Sequence, residues 1–311
     1  MSEQKGLVYK STGSWYLLRD EQGEFRNARI KGKLKIDEEI SSSNPVAVGD
    51  YVLFETEEGE ERTGIIHEVT DRTNYIVRVS PQNRNQKHIV ASNIDAALVI
   101  ATIANPRTST GFIDRFLVTA EAYHIPAIIV FNKIDLLNQK QQAVLEEWKE
   151  MYINAGYEVF TISALDKEDV GVLATRLKGI TTLFSGHSGV GKSTLINQLI
   201  PGKVLKTKEI SDWSGKGQHT TTFAEMFDIP GGGRIIDTPG VKEFGLIDFE
   251  REELAQYFPE MRALMSGCRF NNCLHINEPG CAIKEAVMEG KIAGERYANY
   301  LSIMDSIEKK W

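Results

Sequence analysis

The sequence has 311 residues, 41% of them hydrophobic and 25% charged, which is an ordinary globular composition with room for two or three domains. Its formal net charge of −7 argues against a surface coated with basic residues for nucleic acid, so any RNA contact would be local. The apolar run at residues 96–104 is too short to span a bilayer, and residues 1–6 are polar. We therefore predict a cytoplasmic protein without a membrane contact.

Residues 1–82 are predicted to form an N-terminal antiparallel β-barrel of the OB-fold type that contacts RNA. Five or six short apolar stretches, separated by turn residues, have the length and spacing of strands in such a barrel. Residues 80–94 are polar and are predicted to be a linker to the next domain.

A basic stretch lies inside this predicted barrel. Residues 26–35 contain five basic side chains and no acidic one, and Phe25 stands at their edge. Such a ribbon is typical of a surface that contacts an RNA backbone. It is equally typical of a solvated strand whose charges keep a sheet edge soluble. The basic residues are Arg26, Arg29, Lys31, Lys33 and Lys35.

Residues 88–248 are predicted to form a central α/β domain. Apolar strands alternate here with helical stretches, which indicates a parallel sheet covered on both faces. Ligands of such sheets bind at the carboxyl ends of the strands.

The segment GHSGVGKST in this domain fits the phosphate-binding template GxxxxGK[ST]. It follows an apolar strand and precedes a helix, so backbone N–H groups and a helix N-terminus would face a phosphate chain. The lysine supplies a charge for the terminal phosphates, and the serine hydroxyl can bind Mg²⁺. The predicted site residues are Gly186, His187, Ser188, Gly189, Val190, Gly191, Lys192, Ser193 and Thr194.

Two further strand ends predict guanine as the base. One carries NKID, residues Asn132, Lys133, Ile134 and Asp135, and the other carries Ser163 and Ala164. The Asp135 carboxylate can accept hydrogen bonds from N1–H and the 2-amino group of guanine, which adenine lacks. Asn132 is expected to read the purine edge, the Lys133 stem to pack over the base, and backbone N–H groups at 163–164 to meet the guanine O6.

A third strand ends at DTPG, residues 237–240. Asp237 can hold Mg²⁺ through water, and the Gly240 N–H can contact and sense a γ-phosphate. One threonine of residues 220–222 is expected to complete the Mg²⁺ shell, and we favour Thr221. GTP with Mg²⁺ is thus the predicted ligand.

Residues 249–311 are predicted to form a helical zinc-binding module. Cys268, Cys273, His275 and Cys281 have the spacing C-x4-C-x-H-x5-C, and three thiolates with one imidazole form a closed tetrahedral zinc shell. All three cysteines of the chain lie in this stretch, and an odd number cannot all form disulfides. A small module has a thin core, which one structural zinc ion would stabilise.

The order of the motifs is informative. In the usual GTPase the phosphate loop comes first, whereas here NKID and TISA, residues 161–164, precede it. A circular permutation keeps the neighbouring strands together while it moves the chain ends. The DTPG segment then leads directly into the C-terminal module.

With the barrel, the permuted motifs, HTTT at 219–222 and the cysteine module in this order, the chain resembles the RsgA (YjeQ) family of circularly permuted ribosome-assembly GTPases over essentially its whole length. The resemblance implies a GTPase that binds the small ribosomal subunit late in maturation. It also implies weak hydrolysis that the subunit stimulates, and contacts to ribosomal RNA through the barrel and the zinc module. The family commonly has an arginine where this chain has Gln218, so a contact made by that arginine is not carried over to this chain. We expect a monomer.

The residue after DTPG bears on which side chain can be catalytic. Ras-like enzymes orient water with a glutamine after DxxG, where this chain has Val241, so His219 becomes the candidate catalytic residue. The alternative is a loop histidine that contacts RNA or solvent. A GTP-dependent RNA-binding module with incidental hydrolysis is the alternative function, and NKID disfavours a metabolic P-loop kinase.

Overall fold

A computed structural model of the chain describes residues 3–35, 44–57, 63–79, 87–202, 224–238 and 250–308. The chain divides into two compact units. The first comprises Met1–Ala97, Gly171–Ser185 and Ser193–Val241. The second comprises Leu98–Val170, Gly186–Lys192 and Lys242–Trp311.

The strands of the described residues alternate with helices only after the seventh strand. The strands are β1 (Gln4–Ser11), β2 (Tyr16–Asp20), β3 (Phe25–Lys35), β4 (Tyr51–Thr56), β5 (Thr63–Val69), β6 (Tyr75–Val79), β7 (Lys87–Ser92), β8 (Ala96–Ala101), β9 (Ala127–Asn132), β10 (Glu158–Ile162), β11 (Thr181–Gly186), β12 (Glu225–Asp228) and β13 (Arg234–Asp237).

The α-helices of the described residues follow β8 and continue toward the C-terminus. They are α1 (Thr110–Ala122), α2 (Gln139–Asn154), α3 (Lys167–Arg176), α4 (Lys192–Leu199), α5 (Pro259–Arg262), α6 (Ala282–Met288) and α7 (Gly294–Glu308), with 3₁₀ turns at Ile134–Leu136, Arg251–Tyr257 and Met265–Gly267. Within the described ranges, no helix combines the length and the apolar character needed to cross a membrane.

The first unit begins with a closed five-stranded barrel in the order β1-β2-β3-β5-β4, and β4 pairs back onto β1. This order confirms the predicted OB-type barrel. One detail of the prediction is wrong, because β3 and β5 pair in parallel rather than antiparallel. Alternate residues of β2 are buried, as a half-exposed strand requires. The barrel core consists of Val8, Tyr16, Leu18, Ala28, Val46, Val52, Phe54 and Ile66.

The predicted linker at 80–94 is partly structured. Residues 87–92 form β7, which pairs antiparallel with β6. Val79 pairs with Lys87 at one end of the ladder, and Tyr75 pairs with Ser92 at the other. The polar composition of the stretch conceals this strand, since only Ile89 and Ala91 provide buried apolar side chains at alternate positions.

The rest of the first unit extends the barrel's sheet through β1. Strand β13 pairs in parallel with β11 and antiparallel with β12, and β12 meets β1 at Lys10 and Glu225. The pairing is short, yet side chains reinforce it. The Tyr9 hydroxyl donates to Asp228 at 2.8 Å, and Arg19 forms an ion pair with the same carboxylate at 2.9 Å.

The second unit contains the neighbouring strands β10, β9 and β8, with β9 and β10 in parallel register. All six residues of β8 are buried, as expected for a strand covered on both faces. Ser109 caps α1 by accepting a hydrogen bond from the Phe112 N–H, and Asn138 with Gln141 forms a capping box on α2.

The C-terminal helices also belong to the second unit, and their core includes Val118 of α1. They begin with the 3₁₀ turn Arg251–Tyr257, which is followed by α5. Pro259 lacks a backbone N–H and therefore starts α5 rather than continuing a helix. The predicted domain boundaries at 82, 88 and 248 remain predictions.

Candidate nucleotide site and metal centre

The GHSGVGKST segment lies at the predicted junction of strand and helix. β11 ends at Gly186, and α4 begins at Lys192. Residues 187–191 between them turn the chain, so the first N–H groups of α4 lie beside this turn. A helix N-terminus after a glycine-rich turn is a ready anion site.

Asn132 connects three of the predicted motifs. Its side chain is buried at the end of β9, and its amide nitrogen donates to the Val190 carbonyl at 2.8 Å. Its amide oxygen accepts the Ala164 N–H at 2.9 Å. The sequence predicts that Asn132 reads the purine edge, whereas here the side chain joins NKID, the Ser163-Ala164 turn and the phosphate loop. Motifs separated by up to 58 positions therefore meet at one buried amide.

Gly191 explains why the phosphate loop needs a glycine at this position. Its φ is +96°, and a Cβ placed there would lie 2.3 Å from the Asn132 amide nitrogen. A larger residue would therefore displace the side chain that holds the motifs together, in addition to straining the backbone.

Lys133 and Asp135 follow the strand with different surroundings. Lys133 has a left-handed backbone, φ 66°, and its ammonium donates to the Asn105 carbonyl at 2.7 Å. Its Cε lies 3.9 Å from the point that a Cβ at Gly191 would occupy, so the lysine stem runs beside the phosphate loop. Asp135 is exposed in the 3₁₀ turn that follows. An exposed carboxylate has the chemistry to accept guanine's two donors.

The turn at Ser163 and Ala164 already uses both of its N–H groups. The Ser163 N–H donates to Asp169 at 2.7 Å, and the Ala164 N–H donates to Asn132. The expected contact of these N–H groups with the guanine O6 would thus compete with internal hydrogen bonds. Both residues are buried at the end of β10.

The predicted Mg²⁺ residues occupy strand and helix ends in the first unit. Asp237 ends β13 and pairs in register with Phe184 of β11, while Ser193 lies in the first turn of α4. The Thr238 hydroxyl donates to the Phe184 carbonyl at 3.2 Å and so fixes the chain after Asp237. Thr221, His219 and Gly240 lie outside the described residues.

The four predicted metal ligands come together in one cluster. The sulfur and imidazole nitrogen atoms of Cys268, Cys273, His275 and Cys281 all lie within 4.8 Å of one another. The His275 Nδ1 atom is 3.5 Å from the Cys268 sulfur and 3.4 Å from the Cys281 sulfur. Zinc bond lengths at tetrahedral angles give about 3.6 Å for such a pair. The donor set and its spacing therefore fit a tetrahedral zinc ion.

The loop that carries these ligands is held by hydrogen bonds from α7 and by others within the loop itself. The hydroxyls of Tyr297 and Tyr300 on α7 donate to the carbonyls of His275 and Leu274, at 2.6 and 2.8 Å. The Glu278 carboxylate accepts the N–H groups of Leu274, Ile276 and Asn277. These hydrogen bonds help to position the backbone that carries the ligands.

Burial acts on the ionisation of two of the four ligands. Burial raises the pKa of the Cys273 thiol to about 12, with a further contribution from the nearby Cys281 sulfur. Burial lowers the pKa of His275, which favours the neutral imidazole that a metal requires. Thiolates this close together are stable only beside a positive ion.

The basic ribbon of the barrel is partly neutralised within the chain. Arg26 forms an ion pair with the buried Asp20 at 2.7 Å, and Arg29 forms one with Glu57. The Lys31 ammonium is 3.9 Å from Glu57, and its side chain is 69% exposed. Lys31 is therefore more available to an external phosphate than Arg26 is.

The structure adds residues around the phosphate loop that sequence patterns do not indicate. Asn105 receives the Lys133 ammonium, and Pro106 lies 3.4 Å from a Cβ position at Gly189. The Phe112 ring packs on the His187 ring, with centroids 3.7 Å apart and planes tilted by 31°. Asn105, Pro106 and Phe112 belong to no motif, and only the fold brings them to the loop.

The fold and the assembled motifs define a class, the P-loop GTPases with permuted motif order. A sequence profile described as RsgA GTPase matches residues 69–247, and one described as RsgA N-terminal domain matches residues 5–66. The chain belongs to the RsgA family.

Related proteins are similar in sequence to this chain over nearly its whole length. The protein named small ribosomal subunit biogenesis GTPase RsgA from Christiangramia forsetii is 52% identical over 99% of this chain and 98% of its own length. A protein of the same name from Bacteroides fragilis is 49% identical over 98% of this chain and 97% of its own.

Two crystal structures resemble this fold. YjeQ from Thermotoga maritima has a TM-score of 0.80 and 30% identity over 100% of both chains. YloQ, described as a circularly permuted GTPase, has a TM-score of 0.76 and 29% identity over 100% of this chain and 96% of its own. The circular permutation inferred from motif order is thus confirmed.

Proposed function

We propose that this chain is a cytoplasmic, monomeric GTPase that hydrolyses GTP to GDP and phosphate while bound to the small ribosomal subunit late in its maturation. The single observation that carries the nucleotide part is the Asn132 side chain, which joins the guanine-recognising segments to the phosphate loop. The ribosomal part is supported by the names of relatives that are similar over 97–98% of their length.

The residues divide the work of nucleotide binding. Asp135 accepts the two donors of guanine, the Lys133 stem covers the base, and Asn132 holds the surrounding loops. The loop from Gly186 to Thr194 binds the phosphates, with Lys192 as their counter-charge. Ser193 and Asp237 hold Mg²⁺ together with Thr221, and Gly240 senses the γ-phosphate. When bound, Mg²⁺ neutralises charge that develops on the phosphates.

Hydrolysis needs a water molecule aligned with the γ-phosphate, and His219 is the proposed residue for this role. Substituting His219→Ala should preserve GTP binding while abolishing the turnover that subunits stimulate. Unchanged stimulated turnover would exclude His219 from catalysis. A contribution of ~10³-fold from an arginine finger would have to come from the ribosome or from a residue of the chain that carries no recognised motif.

The ribosomal proposal is tested by GTP turnover with and without purified small subunits. We expect slow turnover alone and a clear rise when subunits are added, with ATP a poor competitor. A turnover rate that does not change when subunits are added would favour the alternative, a GTP-dependent RNA-binding module whose hydrolysis is incidental. ATP that competes as well as GTP would contradict the guanine assignment.

The Cys268, Cys273, His275 and Cys281 cluster is proposed to bind one structural zinc ion. All four positions are protein ligands, so no coordination site is left for substrate. Zinc here stabilises the C-terminal module and shapes its surface. Ribosomal RNA is the proposed partner of that surface and of the barrel.

A further inference from the structure

Helix α7, near the C-terminus of the chain, holds the first two turns of α1 in place. The Thr110 hydroxyl donates to Glu295 at 2.6 Å, and Arg296 donates to Asp114 at 2.6 Å. Asn299 donates to the other Asp114 oxygen at 2.7 Å. The side chains of both Asp114 and Arg296 are almost completely buried, so this part of α1 is fixed to α7 by a charge pair shielded from water.

Arg296 on α7 is itself held by further contacts. Arg296 also forms an ion pair with Glu260 at 2.7 Å, and its guanidinium lies 4.6 Å from the Phe258 ring centroid. Its planar group therefore has partners on several sides and leaves Asp114 a single favourable position. The position of α1 along its axis follows the position of α7.

Another face of α1, at the same end of the helix, contacts the phosphate loop. Phe112 lies between Thr110 and Asp114 in sequence, and its ring packs on the His187 ring at a centroid distance of 3.7 Å. Residues two apart on a helix point in different directions, so the contacts to α7 and to His187 use different faces of α1. A shift of α7 would therefore move Phe112 against the phosphate loop.

Helix α7 also holds the metal-ligand loop through Tyr297 and Tyr300. One helix thus contacts both the cysteine cluster and the helix that carries Phe112. We propose that Phe112 is a positioning residue for the phosphate loop and that α7 sets its position through Asp114. This inference rests on the proposed binding of guanine nucleotide at GHSGVGKST, and it adds residues that touch no nucleotide.

The test measures the dissociation rate of a fluorescent GDP analogue from the full chain. Phe112→Leu keeps an apolar helix-forming side chain and removes the ring, and we expect dissociation up to roughly tenfold faster, the scale of one lost aromatic pair. Phe112→Tyr, which keeps the ring, should restore the wild-type rate. Phe112→Leu at the wild-type rate, or no restoration by Phe112→Tyr, would overturn the proposal.

The link to α7 is tested by a double-mutant cycle. Asn299→Ala removes one hydrogen bond to Asp114 but leaves Arg296 in place, and we expect about two- to fivefold faster dissociation. In the Phe112→Leu background the same change should add nothing, since both act through one contact. Multiplicative effects would overturn the route through Phe112. Ser302→Ala, an exposed change on α7, is the matched control and should leave the rate unchanged.

The outcomes separate this inference from the proposed function. Failure of the wild-type chain to bind the GDP analogue would refute the nucleotide assignment itself. Wild-type binding with unchanged rates in Phe112→Leu and Asn299→Ala refutes only the positioning role.

Discussion

The proposed nucleotide site and the proposed metal centre are built in opposite ways. The metal ligands come from fourteen consecutive positions, 268–281, whereas the phosphate loop, NKID and the Ser163-Ala164 turn span residues 132–194 and meet through one asparagine. The metal centre is local in the chain, and its ligands can converge without most of the fold. The nucleotide site exists only once the strands have assembled.

Because of this difference, we expect the two sites to respond differently to metal removal and to substitutions. A local site whose ligands are thiolates depends on its ion, because close thiolates repel each other without it. A site assembled from distant segments depends on the side chain that joins them. The experiments below test whether stability and nucleotide affinity separate along this line.

Metal removal should have the largest effect. Structural zinc contributes about 10–16 kcal/mol of apparent binding energy in small zinc modules, which exceeds the stability of most domains. We expect a chelator, or Cys281→Ser, to unfold much of 250–308, measured as lost helical circular dichroism with stoichiometric zinc release. Added zinc should restore the chelated wild type but not Cys281→Ser. Helical signal that survives complete zinc loss would contradict a metal-dependent fold.

Asn132→Ala should have the next largest effect. It leaves the Val190 carbonyl and the Ala164 N–H buried without their partner, at about 1–3 kcal/mol each. Both the free energy of unfolding and GDP affinity should fall, as measured by urea titration and fluorescence. Asn132→Asp keeps an acceptor for Ala164 but buries a carboxylate against the Val190 carbonyl, so it should be at least as destabilising as Asn132→Ala.

A matched control for this change is Asn138→Ala, six residues later at the exposed start of α2. It removes a helix cap, at about 1 kcal/mol, and touches no predicted nucleotide residue. Stability should fall slightly while GDP affinity stays the same. Equal loss of affinity in both variants would mean that Asn132 acts only through global stability.

Asp135→Asn should change specificity more than stability. The exposed carboxylate would be replaced by an amide that can donate to the 2-oxo group of xanthine but no longer accepts two hydrogen bonds from guanine. We expect about 100-fold weaker GDP binding, measurable xanthosine diphosphate binding and an unchanged unfolding midpoint. Retention of guanine preference would place the base elsewhere.

The smallest effects are expected in the barrel. Lys31→Ala should lower the slope of log affinity against log salt for RNA by about 0.7–0.9, the value of one lost phosphate contact. Arg26→Ala should destabilise the barrel by leaving buried Asp20 without this ion pair, with little change in that slope. Equal slopes for Lys31→Ala and the wild type would favour a strand face that is only solvated.

Much of the architecture is readable from the sequence because its signals are local. The short apolar stretches predict the barrel, and the cysteine spacing predicts a ligand set that the structure brings together. The order of NKID and the phosphate loop predicts the permutation. Each of these signals requires only residue type and spacing.

The predictions from the sequence fail or are incomplete where contacts between distant segments determine the structure. Strand β7 is too polar for its pattern to be recognised, and it forms because β6 offers a partner. The NKID motif suggests a base contact for Asn132, whereas backbone groups at 164 and 190 occupy its amide. Phe112 and Asn105 carry no motif, so their place beside the phosphate loop follows only from how α1 and β9 pack.

The pairing between β1 and β12 has a consequence for gene fragments. A fragment that stops at residue 82 would retain Tyr9 and Arg19 but lose Asp228, their shared partner from a position more than two hundred residues later. The backbone at Lys10 would also lose its pairing with Glu225, while β2 and β4 would still flank β1 and close the barrel. The barrel expressed alone should therefore be less stable than in the full chain, and adding residues 224–238 in trans as a peptide should restore part of its stability.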